Sequence, residues 1–258
     1  MLIDSHVHLN DERYADTCRD IVSAFPRDGI DAVINVAYSR KSAEIALAQA
    51  REFDRVYAAL SVHPHDSKDY TKEDGDWFLQ QSADKKVVAI GEIGLDYHYD
   101  LSPRDTQRAV LIKQLEIADA AGLPVIIHLR EAAGDMLDIL KKHKSLYKNG
   151  IVMHCFSETA EYMREVLRLD AYISFAGPLT FKNARHAVEC AKEVPQGRFL
   201  IETDCPYLTP EPYRGKMNMP AYVRFVAEKL AEIRQVSFET IAEQSTANTL
   251  SLFKKMKI

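Results

Sequence analysis

The chain has 258 residues, 47% of them hydrophobic and 28% charged, enough ordinary globular material to bury a sizeable core without disulfides. A formal net charge of −5 argues against a generic nucleic-acid coat protein, which draws on many basic residues, but leaves room for a local basic patch. Four scattered cysteines with no CxxC pair, no signal-type leader and no apolar run of spanning length point to a reduced, cytoplasmic setting away from the membrane.

The first apolar run, LIDSHVHL (2–9), reads as a strand, so His6 and His8 fall on one face. DAVINVAY (31–38) and VYAALSVHP (56–64) are the next strand candidates, followed by VVAIGEIGLD (87–96) with Glu92 inside it. SPRDTQRAVLIKQLEIADAAG (102–122) predicts a helix with Ser102 as N-cap, Pro103 at the first helical position and Gly122 as terminator. LPVIIHL (123–129), GIVMHCF (150–156), AYISFAG (171–177) and RFLIETDCP (198–206) complete eight strand candidates. PAYVRFVAEKLAEIRQ (220–235) predicts a further helix with Val223, Val226, Leu230 and Ile233 on one stripe. Near-continuous apolar runs suit parallel strands covered on both faces. Their alternation with helices predicts one (β/α)8 barrel domain over residues 1–258. The rival, a doubly wound open sheet, usually has fewer strands.

The ionisable residues inside these runs collect towards one end of the strands. His6 and His8 lie in the first, Glu92 in the fourth, His128 in the fifth, His154 in the sixth and Asp204 in the eighth. In a barrel those C-terminal ends form the rim where active sites are built. Singly, a histidine here reads as a hydrogen-bonded core residue, Glu92 as an acceptor of loop amides and Asp204 as a cap. Jointly, six such groups are costly to bury unless paired or bound to metal. Six exceed the roughly three protein ligands of one catalytic zinc. Two divalent ions bridged by Glu92 use them all, with His6, His8 and Asp204 on one and His128 and His154 on the other. Glu92 and Asp204 are the catalytic candidates, and Asp204 is also placed to accept a proton from an attacking water. A histidine-rich set leans towards zinc or manganese by ligand softness.

DSHVHL, GEIGLDYHYD, VIIHLR, VMHCFS, SFAGPLTFKNA and IETDCPYLTP, in this order, resemble the TatD-type metal-dependent deoxyribonucleases of the amidohydrolase superfamily, and the resemblance runs on to TANTLSLF (246–253). It implies that His6, His8, Glu92, His128, His154 and Asp204 are the metal residues, that DNA phosphodiesters are cleaved, and that magnesium can also serve. Glu92 stands where similar amidohydrolases use a carbamylated lysine as bridge. Ser251 departs from the arginine that family members often carry at that position.

Phosphodiester hydrolysis needs donors for the non-bridging oxygens. Thr180, Lys182 and Asn183 in TFKN, Arg130 after His128, and Arg214 in EPYRGK are candidates, against the common role of such residues as solvated surface groups. His65 in SVHPH is a candidate phosphate contact, and His63 a candidate supporting residue or third ligand. Asp96, Tyr97 and His98 are placed to orient a metal-binding histidine or line the groove. Tyr97, Tyr99 or Phe181 offers a face for an unpaired base. Cys155 and Cys205, next to ligands along their strands, are expected to point away as buried packing thiols. The expected substrate is DNA, single-stranded or at ends, with no obligate protein partner. The alternative is a small-molecule amidohydrolase cleaving a lactone, cyclic amide or phosphotriester at the same centre. A non-catalytic protein with a decayed site fits poorly with an intact ligand set.

Overall fold

In the computed structural model, which describes residues 2–258, eight strands form one sheet in the order in which they occur. They are β1 (Leu2–Val7), β2 (Ile30–Val36), β3 (Val56–Leu60), β4 (Val87–Asp96), β5 (Val125–Arg130), β6 (Ile151–Met153), β7 (Tyr172–Phe175) and β8 (Phe199–Ile201). Every neighbouring pair is parallel. A helix follows each strand: α1 (Cys18–Asp28), α2 (Arg40–Glu52), α3 (Lys72–Gln81), α4 (Arg104–Ala121), α5 (Ala133–Lys142), α6 (Ala160–Leu167), α7 (Arg185–Glu193) and α8 (Val223–Arg234), with α9 (Phe238–Leu252) added at the end. The sheet curls until β1 meets the segment after β8 through a parallel bridge between Val7 and Cys205. This is the (β/α)8 barrel that the alternation predicts. No helix among the described residues is long and apolar enough to cross a membrane.

Strand alternation divides the core into two layers. Ile3, Ile34, Ala59, Ile126 and Leu200 pack together with Leu252, Phe253 and Met256, while Val33, Ala58, Ile127 and Ile201 belong to the larger layer shared with the helices. The C-terminal segment therefore stoppers the end of the barrel opposite the rim, where the Tyr57 hydroxyl donates to the Lys257 carbonyl at 2.6 Å. Ser251 is exposed on that segment.

Two local expectations change. Helix α4 starts at Arg104 with Pro103 as its N-cap, because the Ser102 hydroxyl is already committed. It donates to the His65 carbonyl at 2.7 Å and accepts from the Lys68 amide at 3.0 Å. Strands β6 and β8 also end earlier than their apolar runs, so His154 and Asp204 sit just beyond them rather than within. The backbone turns out of the extended region there, with φ of +43° at Cys155 and +57° at Asp204. Aspartate tolerates the left-handed region better than most residues.

Candidate metal centre

The barrel seam builds the first half of the site. The His8 amide donates to the Cys205 carbonyl at 2.8 Å and the Asp204 amide to the His6 carbonyl at 2.9 Å. Asp4, fully buried, accepts from the Thr203 amide at 2.9 Å and its hydroxyl at 2.6 Å. These bonds lock β1 to the end of β8 and bring Asp204 beside the two histidines of the first strand. On the far side, Gly94 of β4 pairs with His128 of β5. A Cβ at Gly94 would collide with the His128 carbonyl oxygen, so glycine is what permits this close approach.

Glu92 lies between the halves and offers one carboxylate oxygen to each. Its Oε1 is 3.8 Å from His6 Nε2 and 3.5 Å from His8 Nε2, and the same nitrogens lie 3.7 and 3.2 Å from Asp204 Oδ1. Its Oε2 is 3.0 Å from His154 Nε2, 3.3 Å from His128 Nδ1 and 3.9 Å from His63 Nε2. His128 Nδ1 and His154 Nε2 are themselves 3.2 Å apart. Ligand atoms sharing a tetrahedral zinc at about 2.1 Å are roughly 3.4 Å from one another, and these separations fall around that value. The structure thus brings together all six residues singled out from the sequence as a ligand set. Three donor groups are close enough to hold an ion: His6–His8–Glu92, His63–Glu92–His128 and His6–His154–Glu202. His63 Nδ1, however, accepts the His65 amide at 3.2 Å, so its neutral ring carries the proton on Nε2 and supports Glu92 rather than ligating.

The hydrogen bonding tests whether a metal fits. His6 is completely buried, and neither ring nitrogen has a hydrogen-bond partner. Buried polar atoms are normally satisfied, so an imidazole left bare and aimed at two carboxylates suits a cation. The other three rings are held from behind. His8 Nδ1 meets the Val36 carbonyl at 2.8 Å, His128 Nε2 meets Asp96 Oδ2 at 3.1 Å, and His154 Nδ1 meets Glu202 Oε1 at 3.3 Å. Such partners fix the tautomer that turns the opposite nitrogen, with its lone pair, towards the centre. Asp96 accordingly orients a histidine, one of the two roles the sequence offered for it.

Electrostatics agrees with a centre built for positive charge. Burial favours the neutral Glu92 carboxyl, but His63, His154 and His128 outweigh it and hold Glu92 well below the usual carboxylate range. Burial likewise opposes ionised Asp204, yet His8 and His6 bring it down. Burial would lower His8, His128 and His154. The carboxylates of Asp204, Asp96, Glu92 and Glu202 reverse that and raise all three. His6 and His63 stay lowered, chiefly by burial. In the metal-free protein, protons therefore occupy part of the charge that divalent ions would supply.

The candidate substrate contacts lie around this centre rather than in it. His65 Nε2 shares Asp96 Oδ2 with His128, at 3.0 Å. Arg130 is exposed with its guanidinium over Tyr99 at 4.8 Å, and exposed Arg214 lies over Phe181 at 4.1 Å. Lys182 and Asn183 are exposed in the loop after β7. The Thr180 hydroxyl is engaged with the loop itself, donating to the Gly177 carbonyl at 2.7 Å and accepting from the Glu211 amide at 2.9 Å. Cys205 is buried as expected. Cys155 is only half-buried, because its positive φ breaks the strand alternation that would have turned it away. Glu202 escaped the sequence reading. Its place in the polar run directly after β8, two residues before Asp204, was the available signal.

A (β/α)8 barrel with this histidine–carboxylate centre at its rim defines a metal-dependent hydrolase. The chain matches the TatD related DNase family over residues 3–254 and belongs to it. It is 45% identical over 254 residues to the uncharacterized metal-dependent hydrolase YabD of Bacillus subtilis, covering 98% of this chain and 99% of that one. It is 38% identical over 257 residues to the uncharacterized metal-dependent hydrolase YcfH of Escherichia coli K12, covering 98% and 95%. The crystal structure of YjjV, a TatD homologue from Escherichia coli K12, superposes with a TM-score of 0.93 at 27% identity, covering 98% of each chain.

Proposed function

We propose that this protein hydrolyses DNA phosphodiester bonds at a pair of divalent cations, zinc, manganese or magnesium. Glu92 would serve both, with His6, His8 and Asp204 holding one and His128 and His154 the other, while His63, whose Nδ1 accepts the His65 amide, would donate to Glu92 from beside it. The observation that carries the reading is the division of Glu92, whose two oxygens each face a separate set of imidazoles. Cations so held supply a water of lowered pKa and a polarised phosphoryl oxygen. The chain's own groups do the rest. Asp204, which lies below its ordinary range even before a cation binds, would accept the proton of the attacking water. The exposed cations Arg130, Lys182 and Arg214, with Asn183 and the His65 edge, contact the phosphate and its neighbours. Aromatic faces at the rim favour an unpaired strand or end over intact duplex.

The test is hydrolysis by metal-free protein reconstituted with zinc, manganese or magnesium. Labelled single- and double-stranded DNA are assayed beside a lactone and a phosphotriester. Metal-dependent cleavage of DNA, faster on single strands, is expected. Turnover confined to the lactone or phosphotriester refutes the proposal in favour of a small-molecule hydrolase.

A further inference from the structure

Where the loop after β1 meets the loop after β8, the rim carries a second pre-built element. Asp11 is buried and takes Arg13 in a fork, with Nε on Oδ1 and a terminal nitrogen on Oδ2, both at 2.8 Å. Its Oδ1 also accepts the Arg13 amide at 2.9 Å, and Oδ2 the Tyr207 hydroxyl at 3.2 Å. The guanidinium carbon is thereby held 4.3 Å from the centre of the Tyr207 ring. Tyr207 is nevertheless 46% exposed and the Arg13 side chain 42%. The stack is anchored to the metal centre on its inner side. The Tyr207 amide donates to the Asp204 carbonyl at 3.0 Å, and its ring centroid is 6.0 Å from that of His8.

The rim holds other arginine–aromatic pairs; Arg104 on Tyr97 at 4.3 Å is, like Arg13, tied to a carboxylate, that of Asp100 at 3.0 Å, but on the far side of the barrel from β1. Arg130 on Tyr99 and Arg214 on Phe181 form no ion pair among the described residues, so their donors are available to phosphate. Arg13 has two of its three guanidinium nitrogens and most of its charge committed to Asp11. What remains is a flat π surface fixed in one orientation before any ligand arrives, and ordering that need not be supplied on binding favours affinity. Every nucleobase has a face that can stack on such a surface. We propose that the Arg13–Tyr207 stack, braced by Asp11, is the platform for the unpaired nucleobase adjoining the phosphodiester at the metal centre. It selects for a base without reading its identity. The assignment rests on the phosphodiesterase reading given above.

The experiment uses the metal-loaded full chain and a short labelled single-stranded oligonucleotide, with one abasic residue walked through it. Loss of a stacking partner costs roughly 5- to 150-fold in affinity. Tyr207→Ala is expected to raise Kd and KM on the intact strand by a factor in that range. Wild type is expected to lose a similar factor when one particular position is abasic, and on that substrate Tyr207→Ala should lose nothing more. Tyr207→Phe, which keeps the ring, should restore most of the binding. Equal losses for Tyr207→Ala on the intact and every abasic strand overturn the platform while leaving the phosphodiesterase intact. A wild type that cleaves the phosphotriester or lactone but no DNA overturns both.

Discussion

Replacing Asp96 by asparagine isolates the group behind His128, one of the rings proposed to hold a cation, without changing its shape. Asp96 Oδ1 accepts the His98 and Tyr99 amides at 3.0 and 2.9 Å, and Oδ2 meets the Nε2 atoms of His65 and His128 at 3.0 and 3.1 Å. Burial disfavours the ionised form, but His128, His65 and the Tyr99 amide hold the carboxyl far below its ordinary range. It is therefore an acceptor at every contact. An asparagine keeps its carbonyl on the two amides and presents its NH2 to both rings. His128 Nε2 must then accept, which moves the ring proton to Nδ1, the atom 3.3 Å from Glu92 Oε2. The lone pair that would bind metal is lost from the centre. Loss of such a partner costs about 10–100-fold in metal affinity, or about 1.4–2.7 kcal/mol. The weakened charge-assisted hydrogen bonds cost about 1–3 kcal/mol of folding stability, a fall of a few degrees in Tm. Metal content after dialysis and calorimetric titration of zinc or manganese into the metal-free protein give the readout. One ion should weaken by the stated factor and the other much less. His65→Ala, which leaves the His128–Asp96 bond in place, should bind both ions nearly as wild type does. An Asp96→Asn protein with lowered Tm but unchanged affinity for both ions refutes the tautomer argument.

Asp204→Ala is expected to abolish hydrolysis and leave a folded barrel by circular dichroism; full-rate cleavage would remove Asp204 from the chemistry. Lys182→Ala is expected to raise KM for DNA several-fold with kcat nearly unchanged, since its loop lies outside the ligand set, and an unaltered KM contradicts a phosphate-binding role. Metal uptake should release protons. His8, His128 and His154 are raised above the ordinary histidine value by neighbouring carboxylates, so they hold protons beyond about pH 6.5. Those protons compete with the metal, and affinity should keep rising with pH through neutrality. Calorimetry at pH 7.5 in buffers of different ionisation enthalpy measures the release, and zero protons per ion would contradict the raised values.

The eight apolar runs and their helical spacers were legible because parallel strands buried on both faces leave a continuous hydrophobic signature. The six polar residues near the ends of those runs were legible for a related reason: ionisable groups in such a setting stand out against their apolar flanks. His6 and His8 could be placed on one face by the two-residue period alone. The period loses its force where the backbone leaves the strand, and there the reading failed. Cys155 is half-buried because it sits at positive φ, and Ser102 yielded the N-cap to Pro103 because its hydroxyl ties the His65 loop to α4.

Sequence by itself determined the barrel, the end of it where ionisable side chains collect, and the kinds of side chain gathered there, because these follow from periodicity and composition along the chain. The tertiary structure decided which atoms meet. The division of Glu92 between two sets of imidazoles, the carboxylates of Asp96 and Glu202 behind His128 and His154, and the bracing of Arg13 and Tyr207 by Asp11 all depend on strands brought side by side by barrel closure. A ring nitrogen's partner is set by distances of about 3 Å across elements far apart in the chain, and no one-dimensional pattern encodes that.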